Sequence, residues 1–369
     1  MKKIVEWLND SRYIDPLSPG CKMCAKGSKM VLLITGLCPS NCYYCPLSKE
    51  KNGKDRIFAD EWELDDEEDV EKLFLEAEYI DAEGAGVTGG DPLFVWERTK
   101  KYIEILKNRF GESFHIHLYT SGIKNSEYID NLVSSGLDEI RFHPPVNIWS
   151  DIEKHTISNV IKDSLKQNVD VAIEIPVIPS MKKEIINLIT WADKNNISWV
   201  NLNELEFSET NAETLMNKGY SVKDDISSAV RNSEKLSYEI IYDILKKDLD
   251  IGIHYCSSSF KDGIQLRNRI KRRAKNIVKK HEKITDDGTI MKGIIISDDK
   301  KGDIIYNKTK EIFPNDKDRI IYNPDKNRIE IEIEILKRNI DFFKKQGLKC
   351  FIIEEYPTAD RLEVERIPL

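Results

Sequence analysis

The sequence of 369 residues has no apolar run of about 18 residues, the length that a helix needs to cross a membrane. Its first residues include no long apolar stretch and no small-residue cleavage site, which excludes a typical signal peptide. Internal repeats, a Walker phosphate-binding loop and a hydrolase triad signature are also missing. We therefore expect a cytoplasmic protein that does not bind membranes.

The composition supports a globular chain with a real core. Hydrophobic residues make up 40% of the sequence and charged residues 33%, with a net charge of −8. This acidic balance argues against nonspecific nucleic-acid binding by the whole molecule. Because single cores seldom exceed about 250–300 residues, the length predicts one large domain and a smaller one.

The cysteines are few and clustered. There are seven, and the first five fall between positions 21 and 45. An odd, clustered count in an intracellular chain favours metal binding over disulfides.

Three cysteines follow a predicted buried strand at C-x3-C-x2-C spacing: Cys38, Cys42 and Cys45. Three thiolates can hold three corners of a cubane iron–sulfur cluster and leave the fourth iron open to a ligand, whereas electron-transfer clusters and structural zinc sites close all four positions. The alternatives are a zinc loop completed by a distant ligand and buried thiols.

The middle of the chain alternates strand-like and helix-like patterns, which is typical of a parallel sheet with crossover helices. We predict strands at residues 29–35, 84–88, 114–119, 139–143, 169–175, 199–203 and 251–255, and helices at 66–80, 96–110, 125–135, 152–167 and 182–195. Six or seven such units suggest an α/β barrel.

Polar motifs follow these strands where ligand sites of parallel sheets form. Gly89, Gly90 and Asp91 follow the second strand, and Thr120 and Ser121 follow the third. Two glycines allow close backbone approach to a ligand, and Asp91 can accept hydrogen bonds. An ordinary turn and a helix cap are the alternatives.

Later strands carry further candidates. Arg141 and His143 share one strand face and could contact a ligand or form a satisfied interior pair. Glu174 is a carboxylate within an apolar strand, so it needs a partner. Asn203 lies in the polar alternation 200–206 and could face the cavity or join a structural hydrogen-bond network.

The cysteine motif and the Gly89-Gly-Asp-Pro turn resemble the radical S-adenosylmethionine (SAM) superfamily, in particular archaeal-type proteins related to pyruvate formate-lyase activating enzyme. The resemblance covers residues 29–256 and implies a partial (β/α)6-type barrel with a lateral opening. It also implies that SAM binds the open iron of a [4Fe–4S] cluster and is cleaved reductively to a 5′-deoxyadenosyl radical.

The resemblance also implies roles for single residues. Tyr44 would pack near the adenine of SAM, and Gly89, Gly90 and Asp91 would bind its amino group, with Asp in place of the usual Glu. The segment with Thr120 and Ser121 resembles a Thr-Asn-Gly segment of related enzymes. Arg141, Glu174 and Asn203 are further candidates for SAM or substrate. No residue is assigned to the abstraction step itself.

A second cysteine pair, Cys21 and Cys24, precedes the first strand of the barrel, and Cys256 follows the last. If the sheet curls, these three and His254 could form an auxiliary zinc or iron–sulfur site. Buried thiols and a substrate-facing cysteine are the alternatives. Cys350 has no predicted ligand partner nearby.

The carboxyl-terminal part lies outside the resemblance. A basic helix is predicted at 260–282, either to steer an acidic ligand or simply as a solvated face. Beyond it we predict strands at 289–297, 328–335, 349–355 and 362–366, a helix at 336–346 and a charged loop after 297. The expected divisions are an extension 1–28, the barrel 29–256, a basic linker 257–282 and a small α+β domain 283–369.

These observations predict a radical SAM enzyme whose substrate is open: a glycyl-radical enzyme to be activated, an RNA, a peptide or a metabolite. A reductant such as ferredoxin or flavodoxin would supply the electron. The alternative from another class is a non-catalytic, metal-stabilised nucleic-acid-binding protein. That protein would bind zinc and RNA and would not turn over SAM.

Overall fold

The computed structural model describes residues 2–297 and 302–369, which form two compact units, Met1–Leu266 and Arg267–Leu369. The division falls within the segment predicted as a basic linker. No helix in the described ranges combines the length and the apolar character needed to cross a bilayer.

The first unit alternates strands and helices along most of its length. Its strands are β1 (Ile4–Glu6), β2 (Arg12–Ile14), β3 (Lys29–Thr35), β4 (Phe58–Ala59), β5 (Trp62–Glu63), β6 (Gly84–Gly89), β7 (His115–Thr120), β8 (Glu139–Phe142), β9 (Asp170–Val177), β10 (Trp199–Glu204) and β11 (Gly252–Cys256). Its helices are α1 (Pro19–Lys26), α2 (Val70–Tyr79), α3 (Trp96–Phe110), α4 (Ile129–Ser134), α5 (Thr156–Ser164), α6 (Lys182–Lys194), α7 (Ala212–Asn217), α8 (Ser233–Lys246) and α9 (Ser258–Phe260), which a π-helical turn extends over Lys261–Leu266.

All these strands belong to one sheet, in the order β1-β2-β11-β10-β9-β8-β7-β6-β3-β4-β5. The seven strands from β11 to β3 in that order are parallel, and short antiparallel strands flank them at both edges. The edges remain open, so the sheet is a partial barrel. This confirms the predicted α/β fold class.

Apolar periodicity explains most of these elements. In β3 only Val31 is exposed, as expected for a parallel strand covered on both faces. The helix α3 buries Thr99, Tyr102, Ile103 and Leu106, whose spacing of three and four places them on one face. Because the seven central strands are parallel, their carboxyl ends share one edge of the sheet.

The amino-terminal segment extends one edge of the sheet. Strand β2 pairs antiparallel with β11, with Tyr13 opposite His254. Helix α1 then packs against β3, β6 and β7. Gly20 allows this contact, because a Cβ atom there would lie 2.6 Å from Arg141 Nη2 and 2.8 Å from His117 Nδ1. The segment thus brings the first two cysteines next to the inner face of the sheet.

The second unit is an antiparallel sheet with helices, which confirms the predicted α+β domain. Its strands are β12 (Lys283–Ile284), β13 (Ile290–Ile296), β14 (Ile320–Asn323), β15 (Arg328–Ile331), β16 (Lys349–Glu355) and β17 (Glu363–Pro368), in the order β14-β15-β13-β16-β17 with β12 on β13. Its helices are α10 (Arg267–Ile277), α11 (Gly302–Ile312), α12 (Ile333–Arg338) and α13 (Ile340–Lys345).

Three predictions for the carboxyl-terminal part were wrong in detail. The basic helix expected at 260–282 is a π-helical turn followed by α10, and it ends at Ile277. The alternation at 328–335 predicted one strand, but the strand ends at Ile331. Ile335 instead lies on α12, where it and the adjacent Leu336 are both buried. The expected charged loop contains α11 and β14; its residues 298–301 lie outside the described ranges.

Candidate functional site

A cavity of about 550 Å³ lies where the parallel strands of the first unit end. Most of the predicted SAM and cluster residues line it: Cys38, Cys42, Tyr44, Cys45, Gly89, Gly90, Asp91, Thr120, Ser121, Glu174 and Asn203. They come from different strands, yet they meet because the carboxyl ends of parallel strands share one edge. Arg141 is the exception, since it borders a second, smaller cavity.

The three-cysteine loop between β3 and β4 is closed by backbone hydrogen bonds. Gly36 N–H donates to Lys54 O over 2.8 Å, and Gly53 N–H donates to Gly36 O over 2.9 Å. Within the loop, Cys45 N–H donates to Cys42 O over 3.0 Å. Cys38 is exposed, whereas Cys42 and Cys45 are partly buried. The loop therefore presents its three thiols at one end of the cavity.

Although Cys38 is exposed as a residue, partial desolvation of its sulfur raises the pKa of the thiol to about 11, and burial raises the pKa of Cys42. Such thiols ionise readily only when a metal or a positive charge stabilises the thiolate. Ser40 N–H already points at Cys38 Sγ, 3.4 Å away. Without a metal or a positive charge nearby, these sulfurs therefore stay protonated at neutral pH.

The loop after β10 holds the cysteine loop in place through side-chain hydrogen bonds to its backbone carbonyls. Asn211 Nδ2 donates to Tyr44 O over 3.1 Å and to Glu206 O over 3.0 Å. Thr210 Oγ1 lies 2.8 Å from Leu47 O and 3.2 Å from Cys45 O, and the two carbonyls share its single hydroxyl hydrogen. The position of the second and third cysteines therefore depends on residues more than 150 positions away in sequence.

The double glycine after β6 packs directly against the start of the cysteine loop. Gly90 N–H donates to Thr35 O over 2.7 Å, and Asp91 N–H donates to Leu37 O over 2.8 Å. A Cβ atom on Gly89 would lie 2.1 Å from Thr35 O, and one on Gly90 2.1 Å from Leu37 O. Gly89 also has φ +131°, a conformation that glycine adopts most readily. Both glycines are needed for this approach.

Asp91 joins the ends of β6 and β7. Its carboxylate accepts hydrogen bonds from Thr120 Oγ1 (2.7 Å), Leu93 N–H (3.1 Å), Ser121 N–H (3.0 Å) and Ser121 Oγ (2.5 Å). The side chain is 1% exposed. A carboxylate offers about four acceptor positions, and four protein donors occupy them here.

Tyr44 and His143 form a buried pair. His143 Nδ1 lies 2.7 Å from Glu174 O, and its Nε2 lies 2.9 Å from Tyr44 Oη. A carbonyl can only accept, so Nδ1 carries the proton and Nε2 accepts from the tyrosine. Burial lowers the pKa of His143, which keeps the ring neutral.

Arg141 and Glu174 belong to an interior ion-pair network. The Arg141 guanidinium donates to Glu139 (2.6 Å), Glu174 (2.9 Å) and Tyr119 Oη (3.2 Å). Glu174 also accepts from Asn203 Nδ2 over 2.8 Å. Arg141 is thus a satisfied interior residue, one of the two interpretations that the sequence left open. Glu174 and Asn203 belong to this network and also line the cavity.

The second cavity has a volume of about 220 Å³ and is lined by Cys21, Cys24 and Cys256, the predicted auxiliary set. Burial raises the pKa of Cys21 to about 12. Cys350 lies in the other unit, buried on β16.

Several residues of the site had no sequence signal. Thr210 and Asn211 lie in an ordinary polar loop, and Gln265 lies in the π-helical turn beside both cavities. Lys261, expected on a solvated basic helix, lines both cavities with its Nζ 2.7 Å from Glu206. The feature that points to a function for this turn is its π-helical geometry, which is frequent at functional sites. That geometry cannot be predicted from the sequence.

Two family models match the chain. The Radical SAM superfamily model matches residues 32–192, and a model described as a domain of unknown function, DUF8061, matches residues 288–369. A Methanocaldococcus jannaschii protein named "Putative glycyl-radical enzyme activating enzyme" is 40% identical over 388 aligned positions, which cover 100% of this chain and 96% of that protein.

Similarity to solved structures is weaker. Streptococcus suis SuiB bound to S-adenosylmethionine is 10% identical with a TM-score of 0.44, and the match covers 63% of this chain and 50% of SuiB. The methyltransferase TsrM from Kitasatospora setae, with cobalamin and a [4Fe–4S] cluster bound, is 10% identical with a TM-score of 0.36, over 68% of this chain and 52% of TsrM. The chain thus spans about half the length of each of these two proteins.

The relative that matches over nearly its full length establishes the family of this chain. Membership of that family makes the chain an enzyme whose cofactors are SAM and a [4Fe–4S] cluster. The thiol set at one end of a cavity fits those cofactors. The alternative of a non-catalytic nucleic-acid-binding protein was therefore wrong. The chain belongs to the radical SAM superfamily, among the proteins related to pyruvate formate-lyase activating enzyme.

Proposed function

We propose that this enzyme activates a glycyl-radical enzyme by removing a hydrogen atom from the Cα of one glycine of that partner. The observation that carries the proposal is the near full-length relative, which is 40% identical and bears the name of such an activating enzyme. The cavity adds support, because it has room for a small molecule beside the three-cysteine loop.

We assign the cluster to Cys38, Cys42 and Cys45. When bound, the cluster and SAM supply the radical chemistry: one-electron reduction gives methionine and a 5′-deoxyadenosyl radical, which becomes 5′-deoxyadenosine as it takes the hydrogen atom. The protein's part is to hold these groups and to exclude water around them.

Asp91 acts as a positioning residue in this proposal. Its four acceptor positions are used by Leu93, Thr120 and Ser121, so it orders the ends of β6 and β7. The Gly89–Gly90 backbone then meets SAM directly, which keeps the predicted role for the glycines. The predicted contact between the Asp91 carboxylate and the SAM amino group would require one of these hydrogen bonds to open.

Tyr44 and His143 form one wall of the proposed SAM site, and Glu174 and Asn203 form another. The neutral imidazole fixes the tyrosine through a hydrogen bond at its hydroxyl, which leaves the phenol ring to pack against adenine. Asn203 and Glu174 are already bonded to each other, so their orientation is set before SAM binds. Hydroxyl groups of the ribose suit their remaining donor and acceptor positions.

The partners follow from the same chemistry. A protein substrate is expected for an activating enzyme, and a reductant such as ferredoxin or flavodoxin would supply the electron. The cytoplasmic location predicted from the sequence stays a prediction.

The test uses a glycyl-radical enzyme encoded in the same genome, labelled with α-deuterated glycine. Activation under anaerobic conditions with SAM and dithionite should give the electron paramagnetic resonance (EPR) doublet of a glycyl radical when the partner is unlabelled. The labelled partner should place deuterium in 5′-deoxyadenosine, and its doublet should collapse to a narrower line because deuterium remains on the glycine Cα. A partner whose radical glycine is replaced by alanine is the control. Formation of 5′-deoxyadenosine without deuterium and without the doublet would refute the activase assignment but not SAM cleavage.

A further inference from the structure

The second cavity of the first unit collects cysteines from distant parts of the sequence. Cys21 and Cys24 lie three residues apart on α1, so both face the same side of that helix. Cys256 ends β11, and the antiparallel pairing of β2 with β11 brings the chain segment before α1 beside it. All three line the cavity of about 220 Å³.

His254 lines the same cavity and is unusually placed for a histidine. It is 3% exposed, and neither Nδ1 nor Nε2 has a hydrogen-bond partner among the described residues. Trp7 and Phe260 pack around the ring, with ring centroids at 5.6 Å and 6.3 Å. A buried polar group without a partner is costly and calls for an explanation, of which a bound metal is one.

Hydrogen-bond donors lie beside two of the three sulfur atoms, and Cys21 Sγ also lies 3.6 Å from Asn201 Oδ1, to which its thiol donates. Arg141 Nη2 lies 3.6 Å from Cys21 Sγ, and Gln265 Nε2 lies 3.5 Å from Cys256 Sγ. Such donors stabilise thiolates and cluster sulfurs. The Lys261 ammonium also lines the cavity, where it pairs with Glu206 over 2.7 Å.

We propose that Cys21, Cys24, Cys256 and His254 bind a second iron–sulfur cluster. The size of the cavity favours a cluster over zinc: four ligands close tightly around a single zinc ion, whereas this space corresponds to several waters at about 30 Å³ each. Three thiols and one imidazole supply one ligand for each iron of a cubane.

The second cluster would border the SAM site. Six residues line both cavities: Cys24, Tyr119, Glu174, Asn203, Lys261 and Gln265. Because Cys24 is among them, the proposed cluster lies next to the cavity in which SAM would bind. This site is independent of the proposed activase reaction, since it concerns what the protein binds and not what it acts on.

The test measures iron and sulfide in anaerobically reconstituted protein. The Cys38→Ala/Cys42→Ala/Cys45→Ala variant leaves the second cavity untouched and should keep about half of the iron and sulfide of the unmodified protein. Cys256→Ser should lose about half, and Cys350→Ser, a buried cysteine of the other unit, should lose none. A triple variant without iron, or with zinc in its place, would overturn the proposal.

Spectroscopy of the same triple variant tests the fourth ligand and does not depend on SAM cleavage. Pulsed EPR of its reduced cluster should show hyperfine coupling to a histidine nitrogen, and adding His254→Ala should abolish that coupling. Coupling that is absent from the start would exclude His254 as the ligand. Circular dichroism spectra that match the unmodified protein would confirm that the variants are folded.

Discussion

At the scale of single residues, the double glycine after β6 carries much of the site's geometry. Gly89 combines a positive φ with a Cβ position 2.1 Å from the backbone oxygen of Thr35, an atom that cannot move without shifting the cysteine loop. Gly111 also has a positive φ, but no atom lies within 4 Å of its Cβ position. Comparing a substitution at Gly89 with one at Gly111 therefore separates the effect of steric contact from the effect of backbone strain.

We expect Gly89→Ala to displace the cysteine loop and abolish most cluster binding. Gly111→Ala should cost about 1–3 kcal/mol of stability for the strained backbone alone and leave cluster binding unchanged. Iron content after reconstitution and the free energy of unfolding in urea measure the two effects. Equal iron content in the two variants would contradict the proposed packing.

Asp91→Asn should weaken the link between β6 and β7. The amide replaces one accepting oxygen with a donor that faces other donors, which should lower the free energy of unfolding by about 1–3 kcal/mol. It should reduce SAM affinity while iron content stays normal. Asp341→Asn, at an exposed position of the other unit, is the matched control. Loss of iron together with SAM affinity would show that Asp91 acts mainly on the cluster.

Motif spacing was sufficient to find the cysteine loop and the glycine turn, which line the main cavity. Cys38 to Cys45 and Gly89 to Asp91 fall directly after strands, so their meeting follows from parallel-sheet geometry. The sequence could not show that Arg141 is satisfied inside the network with Glu139 and Glu174, because that depends on distances between three strands. It also gave no sign of Asn211, whose hydrogen bonds cross from one loop to another.

At the scale of elements, the loop after β10 is expected to control how tightly the cysteine loop is held. Asn211→Ala removes the hydrogen bond to Tyr44 O and should speed the loss of iron to a chelator severalfold, with little change in secondary structure. Asn195→Ala removes a similar side-chain bond, to Trp191 O, on the distant α6 terminus. Equal chelation rates in both variants would show that the anchor has no such role.

Strands of the barrel were predictable to within about two residues because parallel strands are continuous apolar runs. Strands at the edges of the sheet were not predicted. β1 and β2 are short and half-polar, and their position in the sheet depends on the pairing of β2 with β11. Helix α8 was missed although its buried positions, such as Leu236, Ile240 and Ile244, follow helical spacing. The alternation at 328–335 predicted too long a strand because alternation alone does not show where the strand ends and α12 begins; on α12 the adjacent residues Ile335 and Leu336 are both buried.

At the scale of the whole molecule, the two units should respond to acid at different pH. Burial lowers the pKa of His115 to about 4 and lowers the pKa of His117 and His143. At a pH below 6.5 but above its lowered pKa, each of these histidines is protonated in the unfolded chain and neutral in the folded chain. The first unit therefore loses stability as the pH falls below 6.5, by up to about 1.4 kcal/mol per pH unit for each histidine.

The second unit instead contains a buried carboxyl group whose pKa is lowered by its partners. Burial alone would raise the pKa of Glu330, but hydrogen bonds from His281, Lys292 and Arg328 hold that pKa well below 4.5. Its stabilising effect is complete above 4.5 and is lost only as the pH falls further. Between about pH 6.5 and 4.5, hydrogen exchange corrected for intrinsic rates should show lost protection in the first unit only. Earlier loss in the second unit would contradict this account.

The central claim is reductive SAM cleavage at a cluster held by Cys38, Cys42 and Cys45, and one measurement tests it most directly. Reconstituted protein, SAM and dithionite are combined without oxygen, and 5′-deoxyadenosine is quantified beside Cys42→Ala and Cys350→Ser. We predict product from the unmodified protein and from Cys350→Ser, and none from Cys42→Ala. A full cluster without product, or undiminished product from Cys42→Ala, would contradict the claim.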